Sequence, residues 1–331
     1  MAVCQRGECL AAGQPAHAGL KQSMQPQRAH LTDGRWHFQH GPMDIIIGAA
    51  GDAAALKFAH DQAWMRFKGI LQELVQELAL LRKPVQGACP VHGPIARRMW
   101  LACKPYQGSF ITPMAAVAGS VAQELLQWYR ADGIQRAWIN NGGDIAIHLA
   151  ANSSVRAGLY ANLEKLDSQQ LQRGIQLDGQ FEICSDSAIR GVATSGWRGR
   201  SFSLGIADSV TVLARTAAEA DAAATVIANA VDLQDDRIIR RPACDIKDDS
   251  DLGDRLVTVD VPPLPAELIS QALAAGLARA FTLQAQGLIC SAVLVCQNQQ
   301  MTTDAVMCAM PNEASQANQS RTLAACGTEY A

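Results

Sequence analysis

Four short stretches of this chain bring together residue types that do chemistry. The first is "INNGGDIAIHL" at 139–149, where Asn140, Asn141, Gly142, Gly143 and Asp144 stand between apolar residues of strand type. Paired glycines let a backbone take positive φ or approach a ligand closely, and Asn and Asp side chains can bond a ribose, a heterocycle edge or the water around a phosphate. The same residues also suit a tight turn or bulge between the strands "RAWIN" and "IAIHL". The second stretch is "GVATSGWRGRS" at 191–201. Thr194, Ser195 and Gly196 offer hydroxyls and amides at a strand end, with Arg198 and Arg200 just beyond, which suits an anion-holding loop or a plain hairpin turn. Ser195 lacks the G-x-S-x-G frame of a nucleophile elbow. The third pairs Asp221 with Thr225 in "EADAAATV". Their i, i+4 spacing puts two oxygen donors on one helix face, where they suit Mg²⁺; the alternative is an Asp that answers a helix start. The fourth, "CDIKDDSDLGDR" at 244–255, is an acidic run that reads first as a solvated turn.

The elements that must position these residues follow from periodicity. "RWHFQHGPMDIIIGA" gives two short strands around a Gly-Pro turn, and from Asp52 to Leu81 apolar residues recur at helical spacing. "CPVHGPIARRMWLACKPY" is punctuated by Pro and Gly and reads as irregular. Residues 113–129 and 216–231 form alanine-rich helices, the first followed by the strand "RAWIN" and the second preceded by "SVTVLA"; a third helix covers 265–287 between "RLVTVDV" and "LICSAVLVC". In the middle, "VRAGLY", "GIQLDG", "FEICSDSAIRGVATS" and "RSFSLG" carry strand-type residues and should pair as hairpins. The expectation is an α+β fold: two related halves of antiparallel sheets packed with alanine-rich helices, which hold equivalent positions in the two halves. Residues 1–33 and 299–331 read as polar tails around a domain at 34–298.

Composition bounds the function. The chain has 331 residues, 49% of them hydrophobic, and a formal net charge of -3 with no basic run, so a nucleic-acid backbone has no seat. No stretch approaches a bilayer span, and the N-terminus shows no signal pattern; a soluble, cytoplasmic protein without a membrane partner is expected. The 10 cysteines include no C-x-x-C pair, and Cys103, Cys184, Cys290 and Cys296 sit in apolar context, where they read as small buried hydrophobes.

Taken in order, "NNGGD", "ATSG" and "ADAAAT" resemble the ApbE superfamily, whose founding members are FAD:protein FMN transferases. The longer strings "HFQHGPMDIII", "ITPMAAVAGSVAQELL", "FEICSDSAIRGVATSGW" and "DSDLGDRLVTV" look like its ApbE-like branch of unknown function. The resemblance runs from about residue 34 to 298. It implies an ApbE-like fold with flavin held in a cleft. Asn140, Gly142, Gly143 and Asp144 then fall in the flavin-binding region, and Asp221 and Thr225 bind Mg²⁺ on the pyrophosphate while FMN passes to a threonine of an acceptor protein and AMP leaves. In place of the transferases' His-Ile-x-Asp-Pro-x-x-Gly segment this chain has "SFSLGIADSVTVLA", where Asp208 is the nearby carboxylate, so Asp221 and Asp208 are the catalytic candidates.

Three function classes stay open: a Mg²⁺-dependent flavin transferase or FAD hydrolase; a flavin- or nucleotide-binding protein without turnover; and an enzyme on an unrelated small molecule, with Ser195, Arg198 and Asp186 as candidates. A homodimer is kept open.

Overall fold

Among the described residues nine antiparallel strands form one continuous sheet, and the helices bury their apolar faces on one side of it. The computed structural model describes residues 25–159, 179–199 and 201–303. Its strands are β1 (Gln27–His30), β2 (Trp36–His40), β3 (Met43–Gly51), β4 (Ile134–Asn141), β5 (Asp144–Leu149), β6 (Ser154–Leu159), β7 (Gly179–Cys184), β8 (Gly191–Ser195), β9 (Ser209–Ala214), β10 (Ile239–Pro242), β11 (Leu256–Asp260), β12 (Ser291–Cys296) and β13 (Gln299–Thr302). The main helices are α1 (Ala53–Gln76), α2 (Pro94–Cys103), α3 (Val117–Leu126), α4 (Ala217–Ala230) and α5 (Ala266–Ala285). Spatial order in the large sheet is β1-β2-β3-β4-β5-β8-β9-β12-β13, while β6 with β7 and β10 with β11 make two separate ribbons.

This order contains a repeat. The first half runs hairpin β2–β3, helix α1, helix α3, hairpin β4–β5, with α2 inserted before α3; the second runs hairpin β8–β9, helix α4, helix α5, hairpin β12–β13, with the β10–β11 ribbon inserted before α5, and in both the four strands lie in chain order. The expected mixture of helices and antiparallel sheet is therefore present, in two halves of matching topology. One expectation needs correcting. The two alanine-rich helices α3 and α4 are not equivalents on separate sheets: α3 is the last helix of its half, α4 the first of the other, and they pack against each other over a single sheet. Small side chains make this approach feasible. An added Cβ at Gly119 of α3 would lie 2.3 Å from the Ala217 carbonyl oxygen of α4, and Ala220, Ala222, Ala223 and Ala224 are buried.

Strand alternation sorts the two sheet faces. Ile45, Ile47, Ile139 and Val212 point into the main core with Phe67, Ile70, Leu125 and Leu273 of the helices, while Trp138, Ile145, Ile147 and Leu213 face the other way onto Val155 and Ile183 of the β6–β7 ribbon. The Gly-Pro turn between β2 and β3 is as expected: Gly41 has φ +56° and His40 pairs with Met43, so two residues close the hairpin.

Other segments differ from the sequence expectation. The long helix stops at Gln76, and a separate turn of helix covers Leu78–Leu81. Glu77, between them, turns its carboxylate to accept the His92 and Gly93 amides at 2.7 Å each, and so caps α2. That α2 is a helix at all corrects the irregular reading of 89–106: Pro94 opens it at a position where a missing N–H costs nothing. "RSFSLG" is not a strand; its described part is irregular, with the Leu204 amide bonded to Asn229 Oδ1 at 2.9 Å. The sheet also extends beyond 34–298, since β1 and β13 add edge strands at 27–30 and 299–302. Cys103 and Cys296 are buried as expected, but Cys184 is exposed on its two-stranded ribbon; the six described cysteines are all free. Most of "GIQLDG" and Arg200 lie outside the described residues. Among the described residues no helix is long and apolar enough to cross a membrane.

Candidate functional site

The β4–β5 turn joins Asn141 directly to Asp144, with Gly142 at φ +67° and Gly143 at φ +111° between them. Two central residues in positive φ define a type I′ hairpin, the turn whose twist matches the flanking strands. Asn140 accepts the Gly143 amide on Oδ1 at 2.8 Å and fixes the turn from within. The turn reading holds, and the turn also presents Gly142 and the flanking Asn141 and Asp144 to a cleft.

That cleft, about 340 Å³, lies at the junction of the two halves. The first half supplies Asn141, Gly142 and Asp144 and the segment Thr112–Ala118 that leads into α3. The second supplies Thr194, Ser195 and Gly196 from the end of β8, and Asp221, Thr225 and Asn229 from one face of α4. Asp221, Thr225 and Asn229 follow at steps of four, so α4 places them in a row.

Hydrogen bonds tie these pieces together. Asp144 Oδ1 accepts the Thr194 amide at 3.2 Å, which locks the glycine turn to the β8 end. Thr194 Oγ1 lies 2.9 Å from Thr211 Oγ1, and Asn141 Nδ2 donates to the Ala118 carbonyl at 3.1 Å. Asp221 Oδ2 accepts the Gly119 amide at 2.9 Å, in the first turn of α3. An anion there is favoured by the exposed N–H groups and the helix dipole. Burial nevertheless pushes the Asp221 carboxyl well above the usual carboxylate range, and the charge of Asp144 pushes it further. Beneath the cleft, the Cys103 thiol is raised by burial and then by the charges of Asp221 and Asp251.

Residues 28–303 match the family model described as AbpE bacteria. The chain belongs to that family. Among relatives of this AbpE chain, a UPF0280 protein of Methanothermobacter thermautotrophicus is 39% identical over 145 residues, covering 44% of this chain and 51% of its own. A UPF0280 protein of Methanosphaerula palustris is 32% identical over 183 residues, 52% of this chain and 71% of its own. The chain spans about half the length of the first relatives it matches. Among solved structures, the Pseudomonas stutzeri flavinyl transferase ApbE is 12% identical with a TM-score of 0.37, covering 84% of this chain and 94% of that one. The ApbE protein of Thermotoga maritima is 12% identical with a TM-score of 0.35, covering 62% and 86%.

In this AbpE chain most of the sequence-derived site residues converge on the cleft; Asn140, Gly143, Arg198 and Asp208 do not line it. Asn140 and Gly143 act inside the turn. Arg198 Nε donates to Asp208 Oδ1 at 3.0 Å and its guanidinium lies over Trp197, 4.8 Å from the ring centre. Asp208 also accepts from Trp197 Nε1 at 3.3 Å and from the Gln297 amide at 2.6 Å, so it pins the loop after β8 to the end of β12. From sequence alone the acidic run reads first as a solvated turn. The structure folds Lys247–Leu252 over the cleft instead: Asp251 accepts the Thr112 hydroxyl, Asp249 accepts from Arg82 at 2.7 Å, and the Arg255 guanidinium lies 3.5 Å from the Phe110 ring centre. Nothing local in that run signals such partners, because all three lie more than a hundred residues earlier in the chain.

The oxygen donors fit a hard cation. Asp221 and Thr225 offer a carboxylate and a hydroxyl from adjacent turns, and the neighbouring Asp144 charge leaves negative potential that a cation would relieve. Mg²⁺ keeps several waters and accepts such a partial set. Among the described residues no three His, Cys, Asp or Glu side chains group as metal ligands.

Proposed function

We propose that the chain binds a flavin dinucleotide in the cleft between its halves and, with Mg²⁺ held by Asp221 and Thr225, breaks the pyrophosphate as a FAD:protein FMN transferase or a FAD hydrolase. One observation carries this reading: the Asn141–Asp144 turn, the Thr194–Gly196 strand end and the Asp221/Thr225 face, distant in sequence, line one cleft. The family membership and the flavin transferases named among its structural likenesses agree with it.

In this reading the backbone at Gly142 and at Ser195–Gly196 gives the dinucleotide two surfaces without side chains in the way, and Asn141 and Thr194 supply polar contacts at the same rim. The bound cation would serve as a Lewis acid that offsets charge on the pyrophosphate oxygens. An acceptor threonine hydroxyl, or water, forms the new bond to the FMN phosphorus while the bond to AMP breaks and the hydroxyl proton is released. Asp144 and Asp221 are the carboxylates at that rim.

A second reading, a flavin-binding protein without turnover, is favoured by Asp208. The transferases' histidine segment is replaced, and the carboxylate left nearby is engaged by Trp197, Arg198 and Gln297 away from the cleft. The deciding experiment titrates FAD into the protein with flavin fluorescence as readout, with and without Mg²⁺, and then separates AMP from intact FAD. Binding with AMP release supports the first reading and binding alone the second. Absence of binding at near-millimolar flavin removes both.

A further inference from the structure

A second cavity, about 590 Å³, lies between α2 and the first turn of α4, on the side of α4 that precedes Asp221. Its size falls within the range of small-ligand pockets. α2 contributes Arg97, Arg98 and Leu101, the turn after it Tyr106, and α4 its N-cap Thr216 with Glu219.

Three of the polar side chains around this cavity have partners of their own. Arg98 donates to the Ser120 carbonyl at 3.0 Å and to Glu124 at 2.9 Å. Thr216 Oγ1 accepts the Glu219 amide at 3.3 Å, and Gln123 Oε1 accepts the Ala218 amide at 3.4 Å. Two groups differ. Tyr106 is 2% exposed and lines the cavity, yet its hydroxyl meets no hydrogen-bond partner among the described residues. The hydroxyl opens onto the cavity, so its O–H is free to donate to a ligand held there. Burial pushes the phenol upward, so it keeps its proton and acts as a donor. The Arg97 guanidinium, on the same wall, makes no ion pair among the described residues. Leu101 leaves 55% of its surface uncovered beside them.

We infer that this cavity binds a small carboxylate with an apolar body. Arg97 and the Tyr106 hydroxyl hold the carboxylate, the first turn of α4 adds its favourable dipole, and the body lies on Leu101 and Leu288. Glu219 in the same lining disfavours a doubly charged phosphate ester relative to a single charge. The inference does not depend on the flavin reading, because the cavity and the cleft share no lining residue.

The test is calorimetric titration of the full chain with phenylacetate as probe, beside neutral phenylacetamide and doubly charged phenyl phosphate. Saturable phenylacetate binding with a Kd of about 1 mM or tighter is expected, with both analogues weaker. Arg97→Ala should weaken binding about tenfold, the loss of one charge-assisted contact, and Tyr106→Phe should weaken it severalfold while the ring stays in place. Thr225→Ala, in the cleft, should leave it unchanged. Arg97 is exposed, so its variant remains decisive even where Tyr106→Phe fails to fold. Absence of saturable binding up to tens of millimolar overturns the inference. So does binding to Arg97→Ala as tight as to the wild type, or loss of binding in Thr225→Ala.

Discussion

The Asp221 carboxylate accepts the Gly119 amide at 2.9 Å, so an acid from the second half sits on the first turn of a helix from the first. The same contact places Asp221 within reach of the Asp144 charge. Replacing Asp221 by Asn keeps the shape and an acceptor for Gly119 but removes the hard anionic ligand. Asp221→Asn should fold, lose Mg²⁺ affinity and lose any AMP release from FAD. Metal titration of the variant beside wild type checks this; unchanged affinity would leave Asp221 a helix-start feature.

Gly119 is where α3 and α4 touch backbone to backbone. Gly119→Ala would place a methyl 2.3 Å from the Ala217 carbonyl oxygen and 3.0 Å from the Asp221 Cβ. Rigid helix backbone on both sides cannot yield cheaply, so about 1–3 kcal/mol of stability should be lost in denaturant unfolding. Flavin binding should weaken with it, since Asp221 moves with α4.

Glu77 is a cap supplied from outside the helix it serves. Glu77→Ala frees the His92 and Gly93 amides and should cost about 1–2 kcal/mol, the usual range for a lost helix cap. Glu77→Gln, which still accepts, should lose less. Equal losses in thermal unfolding of the two variants would show that the cap is not what the side chain provides.

His60 gives the fold a pH dependence. Burial lowers its pKa from 6.5 to about 4, and Nδ1 lies 2.7 Å from the Tyr129 hydroxyl. The unfolded chain therefore takes up a proton below pH 6.5 that the folded chain refuses until pH 4. Stability should be level with respect to this group above pH 6.5 and fall between 6.5 and 4. Partial exposure limits the loss to about 1–2 kcal/mol. His60→Gln should flatten that segment of the melting-temperature profile, and a slope identical to wild type would refute the assignment.

How much was legible in the sequence varies with the range of the interactions. The glycine turn, the strand ends and the Asp221/Thr225 spacing are local patterns, so the elements could be anticipated from the residues, while a shared cleft was only what the family resemblance implied. The acidic run could not, because its partners Arg82, Phe110 and Thr112 come from another part of the chain. α2 was missed because its Pro94 reads as punctuation until the helix it opens is seen. The break at Glu77 was invisible for a similar reason: periodicity continues through 78–81, and only the distant amides of α2 draw that carboxylate aside. The pairing of α3 with α4 depends on how two halves join, which no local pattern records.

The strand ladder at that join is slight, although α3 and α4 also pack across it. Of the ladder that makes one sheet from two halves, β5 and β8 contribute only the pairs Ile145 with Val192 and Ala146 with Gly191, extended by the Ile147 amide on the Arg190 carbonyl at 2.9 Å. Yet Gly142 and Asn141 stand on one bank of this seam and Thr194, Asp221 and Thr225 on the other. Neither half owns a site. Local opening that parts the two banks would silence the cleft while each half kept its own hydrogen-bonded hairpins. Loss of function on heating or in denaturant should therefore run ahead of loss of secondary structure.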